Sequence, residues 1–298
     1  MWDIGNTELH IRLHYNLFLR VRFDRIYGSC STSYITKSKF FMHPSPYSPS
    51  SPSGEEYRLV FPKVCKTKDV ISWLREGKHQ FKRNPGAWVT CILIWFVFSL
   101  VMSIIPIVGQ IAGGLLIYVF IAGLMLGCYE ASQGKEFTSQ YMFAGFKHNL
   151  SKLVGLGFVS MVLSGLIMWI TLGDTYLTML SGNVDTLPAD FDVNSLAISV
   201  LIATLLLIPL MMGLWFAPVL IIRHDLSVFA ALRLSFVACF LNTLPFFWYG
   251  LILIPMFLFG MFTLGLGLLI VLPVILVSIY ASYVQIFLEP ISGASLDD

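Results

Sequence analysis

The chain reads as an all-α membrane protein, a polytopic bundle of about six transmembrane helices with short cytosolic interfacial helices. Three observations carry that reading. Hydrophobic residues make up 56% of the 298 and charged residues only 12%, about half the charge of an average soluble domain. Asp, Glu, Lys and Arg are absent from four long runs: 84–129, 153–173, 193–222 and 234–288, of 46, 21, 30 and 55 residues. All 19 Lys and Arg lie before residue 84, between 130 and 152, or at Arg223 and Arg233.

One crossing needs about 20 apolar residues at 1.5 Å each, so the four runs hold two, one, one and two spans. The two long runs must turn inside, and each has a breaker: Ile105-Pro106-Ile107-Val108-Gly109 in the first, Leu264-Gly265-Leu266-Gly267 in the last. The predicted spans are 88–105, 108–128, 153–172, 195–216, 245–263 and 267–287. They form a transmembrane domain over 58–288, followed by a short tail, 289–298. Six spans with both termini in the cytosol keep every Lys and Arg inside, as the positive-inside bias requires. The segment 173–194, with Asp174, Asp185, Asp190, Asp192 and no basic residue, then faces outward. The expected location is a bacterial inner membrane, crossed several times.

Residues 1–57 read differently. Ile11, Leu13, Tyr15, Leu17, Leu19, Val21 and Phe23 alternate with Arg and His, a strand period with no strand elsewhere to pair with. A translation start at Met42 is the expectation, leaving the Pro/Ser-rich run from His43 to Gly54 as a disordered tail.

Residues 69–83 predict an interfacial helix. Asp69 stands at its start, and Val70, Trp73, Leu74, Gly77 and Phe81 share one face. Arg75, Lys78, Lys82 and Arg83 supply a basic side suited to anionic headgroups. Pro85 ends it before Trp88 enters the first span, and Trp73 and Trp88 read as interfacial anchors at the membrane boundary. A related pattern recurs: Phe81…Asn84, Phe146…Asn149 and Phe240…Asn242 each precede an apolar run. This is the pattern of three units, each a surface helix followed by a two-span hairpin.

Ionisable groups inside a bilayer mark function, and the six predicted cores hold none. All six histidines (His10, His14, His43, His79, His148, His224) lie outside them. Ser160 and Ser164 therefore have no base in the same layer, which argues against a proteolytic dyad. Asp174 reads as a solvated loop residue. Arg223-His224-Asp225 is the densest polar cluster at a membrane boundary. It reads as an anchor for the fourth span, with Asp225 capping the next surface helix. Pro209, Pro255 and Pro273 read as kinks tolerated by neighbouring helices. In the second span Gly109, Gly113, Gly123 and Gly127 place small residues at four-residue spacing, a pattern for close helix packing. The five scattered cysteines form no metal or disulfide pattern. No cofactor or metal is expected, and a net charge of +2 argues against nucleic acid. The expected partner is the lipid bilayer, with a membrane-protein partner left open.

The pieces Trp73-Leu-Arg-Glu-Gly77, Asn84-Pro-Gly-Ala-Trp88, Ile105-Pro-Ile-Val-Gly109, Phe143-Ala-Gly-Phe146, Phe216-Ala-Pro-Val-Leu220, Ala231-Leu-Arg-Leu-Ser-Phe236, Leu264-Gly-Leu-Gly267 and Tyr280-Ala-Ser-Tyr283 together resemble a proteobacterial family of hypothetical inner-membrane proteins. The resemblance covers roughly residues 58–287 and implies an inner membrane without implying an activity. Three functions are compatible with the residues. The first, a non-catalytic role in membrane organisation or assembly, is expected ahead of a transporter or channel for a small neutral or lipophilic solute. The third is a lipid-modifying enzyme working through residues 223–225. No enzymatic activity is expected.

Overall fold

The computed structural model describes residues 57–105, 108–181 and 193–290. The expectations for residues 1–56, for Pro106 and Ile107, for Asp185, Asp190 and Asp192, and for the tail beyond 290 lie outside them. A short strand β1 (Tyr57–Leu59) leads to helix α1 (Asp69–Arg83) and then to α2 (Pro85–Ile104) and α3 (Val108–Ser132). A 3-10 turn (Ser139–Phe143) and the short α4 (Ala144–Lys147) precede α5 (Leu150–Leu172) and α6 (Asp174–Ser181). Helices α7 (Val193–Trp215), α8 (Ala217–His224), α9 (Val228–Leu241), α10 (Thr243–Phe262) and α11 (Leu268–Phe287) complete the bundle, and β2 (Leu288–Pro290) ends it.

Six of these helices (α2, α3, α5, α7, α10 and α11) are 20 or more residues long and apolar enough to cross a membrane. A helix is the form an apolar run must take in hydrocarbon, because it satisfies every backbone N–H and C=O within the segment. The protein is therefore an all-α polytopic membrane protein, and the six spans begin and end close to the boundaries the charged residues set. Pro209, Pro255 and Pro273 sit inside α7, α10 and α11, and the helices continue through them. Helix α5 stops at Gly173, whose φ of +54° suits a residue without a Cβ. Asp174, expected in a loop, instead opens α6.

Packing is uneven along the bundle. At one end, the 131–150 segment, the 217–242 segment, α1 and the strand pair meet the spans and bury the largest side chains, among them Trp73, Trp88, Met142, Phe216, Tyr283 and Phe287. We call this the polar end. At the opposite end large apolar side chains stand out: Ile104 is 77% exposed, Phe262 84% and Leu264 95%. Apolar surface on this scale is foreign to a monomer in water and is what bilayer contact requires. The domain closes at the polar end. β1 and β2 pair antiparallel with Arg58 opposite Glu289, and the amides of Val60 and Lys63 donate to Phe287 and Ile286 carbonyls.

Candidate functional site

Helix α1 has the span and amphipathic pattern read from the sequence, but its apolar face does not lie against headgroups. It packs along α11, with Val70, Trp73, Gly77 and Gln80 buried. Gly77 explains the difference. A Cβ there would collide with the Val274 backbone carbonyl, so glycine lets the two helices approach. Trp73 is 1% exposed, donates its indole N–H to Gln285 Oε1 at 2.6 Å and faces the rings of Phe246 and Tyr249. It anchors the helix to protein, and Phe81 is only partly buried. Asp69 is not the N-cap, a position Lys68 occupies. Its carboxylate instead accepts the Lys66 amide at 2.8 Å. Arg75, Lys78, Lys82 and Arg83 project outward as expected of a solvated basic side.

The three recurring asparagines each stand immediately before the first span of a hairpin, as the N-cap residues of α2, α5 and α10. Each sends its side-chain amide across to another segment. Asn84 donates to Phe137 O at 2.9 Å, Asn149 to Ile221 O at 3.0 Å, and Asn242 to Lys63 O at 3.0 Å. The acceptors lie just ahead of the next hairpin in turn, and the third returns to the first, so the bonds close a ring. The surface elements follow the same cycle. The turn Ser139–Phe143 and α4 pack on α3, α9 on α7, and α1 on α11, in each case the second span of the preceding hairpin. Small groups permit the approach. A Cβ on Gly145 would strike the Val119 backbone, and the Ser235 hydroxyl donates to Met212 O while accepting the Phe216 amide.

The Arg223-His224-Asp225 cluster is divided by the fold. The Arg223 guanidinium lies 3.3 Å from the centroid of the Tyr129 ring, a cation–π contact, and His224 Nε2 hydrogen-bonds the Tyr283 hydroxyl. Asp225 takes a left-handed conformation (φ +54°) as the C-cap of α8, and Ser227 is the N-cap of α9. Its expected role as an N-cap is therefore wrong by one helix end. The carboxylate instead holds Lys152 Nζ at 2.7 Å. Tyr129, Tyr283 and Lys152 were not singled out in the sequence as site residues, because each partner is distant along the chain. Glu130, almost wholly buried at the end of α3, is held by Lys135 at 2.6 Å. That hydrogen bond and charge raise the lysine's pKa.

The glycines of α3 divide similarly. Added Cβ atoms at Gly109, Gly123 and Gly127 would meet, respectively, the Met102 backbone, the Tyr141 and Met142 carbonyls, and the Phe137 and Tyr141 side chains. At Gly113 they would meet open space, and the packed residue is its neighbour Gly114, against Met161. Trp88 is 1% exposed and stacks on Phe137 at 3.9 Å, so it anchors α2 inside the protein. Cys65, Cys91, Cys128 and Cys239 are buried thiols. Burial pushes Cys65 up to about 11 and Cys239 to about 12. Among the described residues no group of three His, Cys, Asp or Glu side chains could hold a metal ion.

A probable inner membrane protein of Burkholderia thailandensis is 32% identical to the chain over 189 residues, which cover 60% of this chain and 70% of that protein. No family profile and no solved structure matches the chain. The shared length makes this chain, with its own six apolar spans, a member of the same family as that probable inner membrane protein of Burkholderia.

Proposed function

We propose that the protein is a non-catalytic organiser of the inner membrane, with its polar end and both termini in the cytosol. The orientation rests on the basic residues, which would otherwise all face outward against the positive-inside bias. The observation that carries the non-catalytic reading is how the polar side chains at that end are engaged. Asn84, Asn149, Asn242, Ser235 and Lys152 bond backbone carbonyls or amides of other segments. His224 is engaged by Tyr283 and Asp225 by Lys152. Groups used to hold segments together are already committed, so the layer acts as a rigid platform on the membrane. The test is flux through vesicles carrying the purified protein. The expected leak of glycerol, urea and a lipophilic dye matches protein-free vesicles. Saturable flux of any of them would replace this reading with a transporter.

A further inference from the structure

Helix α9 is 14 residues long, about 21 Å, too short for the ~30 Å of a hydrocarbon core. Arg233 is its one charged residue. It packs against two spans, α7 and α5. Ser235 bonds Met212 O and the Phe216 amide, Leu232 lies against Gly213, and a Cβ added at Gly155 of α5 would lie 3.6 Å from Val228. Charge marks the level at which α9 begins. Lys152, in the first turn of α5, holds Asp225, which stands just ahead of α9. Gly155 lies three residues further into α5, about 4.5 Å. Helix α9 thus starts close to one turn below that ion pair.

Its two sides are the reverse of those of a helix on a protein in water, which buries large apolar groups and exposes polar ones. The buried face of α9 is made of small residues, among them Ala231, Ser235 and Ala238. Its exposed residues are Phe229, Arg233, Phe236 and Phe240, which recur at helical spacing as one stripe, and Phe229 is 75% exposed. Helix α1 has the ordinary order, with Trp73 inside and Arg75, Lys78 and Lys82 outside. Beside the Ser235 contact, Ile208 and Met211 of α7 are exposed as well, on a helix long and apolar enough to cross a membrane. The stripe is therefore continuous with a surface that already meets lipid. We propose that α9 lies in the plane of the membrane, within the leaflet at the polar end, and that its partner is phospholipid. Phe229, Phe236 and Phe240 sit among the acyl chains just below the headgroups. Arg233 keeps the helix shallow, because a charge is expensive at greater depth and a long cationic side chain reaches back to the phosphate layer. Rings added to one leaflet only make α9 a wedge in that leaflet, whether or not the protein carries solutes.

The test places a nitroxide on the full chain in vesicles of phosphatidylglycerol and phosphatidylcholine. With Cys30→Ser the remaining native cysteines are buried. Labels then go to Phe229→Cys, Phe236→Cys and Phe240→Cys, with Lys78→Cys as the reference on the outward side of α1. Collision with oxygen, which concentrates in lipid, is compared with collision with a water-soluble nickel chelate. The oxygen-to-nickel ratio at the three α9 positions should exceed that at position 78 by roughly fivefold, as expected of a helix set below the headgroups. Each replaced Phe is exposed, so the variants should fold, and any two of them decide. A ratio equal to the reference would place the stripe in water. Low collision with both reagents would mean that polypeptide covers it, from a second copy or another protein. Either result would overturn the proposal.

Discussion

Asn242 is the joint on which the polar end closes, and replacing it with Ala should be among the costliest substitutions in the chain. The residue is fully buried. Its side-chain oxygen accepts the Cys65 amide at 2.7 Å, and its NH2 donates to Lys63 O at 3.0 Å and Ala238 O at 2.9 Å. Ala238 O keeps the Asn242 backbone amide as a partner, so that loss is minor. The Cys65 amide and Lys63 carbonyl would be stranded, and a buried polar group left unsatisfied costs about 1–3 kcal/mol. We expect a loss of about 3 kcal/mol. At about 2–4 °C per kcal/mol for a domain of this size, the melting temperature in detergent should fall by roughly 6–12 °C. A local reporter separates release of the joint from general loosening. Burial, followed by the Asp69 charge, pushes the Cys65 thiol up to about 11, which keeps it unreactive near neutrality. In Asn242→Ala, maleimide should modify Cys65 at pH 8 while Cys91 and Cys128 stay protected, as read by peptide mass spectrometry. A melting point within about 2 °C of wild type, with Cys65 still protected, would refute the reasoning.

The glycines of α3 give opposite expectations. Gly123→Leu should lower the melting temperature, since even a Cβ would meet Tyr141 O at 2.5 Å and overpacking costs about 1–3 kcal/mol. Gly113→Leu should leave it unchanged or raise it, because the space is open and Leu is the better helix former. Reporter fusions at residues 140 and 230 should read cytosol and one at 185 the outside; a cytosolic signal at 185 would undo the topology. The strand pair should respond to acid. The Arg58 hydrogen bond and then the Lys63 charge hold the Glu289 carboxyl below its ordinary range, so the stabilisation is full above that range and is lost as pH falls through the lower folded value. Hydrogen exchange at the Val60 and Lys63 amides, corrected for intrinsic rate, should accelerate on acidification, and Arg58→Gln should weaken that dependence, leaving the part that Lys63 supplies.

The spans were legible because hydrocarbon enforces them: a fixed thickness sets the length, and ionised side chains mark where each must end. What surrounds a buried face is a different question. The apolar stripe of α1 said that Val70, Trp73 and Gly77 are covered, but an interface helix and a docked helix share the same period. The signal that distinguishes them was Gly77 itself, since glycine at the centre of an apolar face adds nothing to lipid binding and only makes sense where another backbone must approach. Trp73 and Trp88 misled for a related reason, because aromatic belts and buried aromatic anchors use the same residue. Asp225 is ambiguous in kind: a short acidic side chain serves as an N-cap and also tolerates a left-handed C-cap. Only the fold shows that Ser227 takes the first role. The stripe in α3 was read one residue off at Gly113 because neighbouring glycines at 113 and 114 sit about 100° apart on the helix, and spacing alone favours either.

The ring of asparagines also explains where the polar end is most heavily reinforced. The Asn84 bond spans 53 residues of sequence, the Asn149 bond 72 and the Asn242 bond 179. Loop closure costs about 0.6 kcal/mol for each doubling of length, so the third junction forms at about 1 kcal/mol more than the first. It is also the junction with the most additional contacts: the Cys65 amide on Asn242, the strand pair with its Arg58–Glu289 ion pair, the Val60 and Lys63 amides, the Trp73–Gln285 bond and the close approach at Gly77. The first two junctions are held in place by helices that neighbour them in sequence. The third has to join segments from opposite ends of the domain, and the density of bonds around Asn242 is what that distance requires.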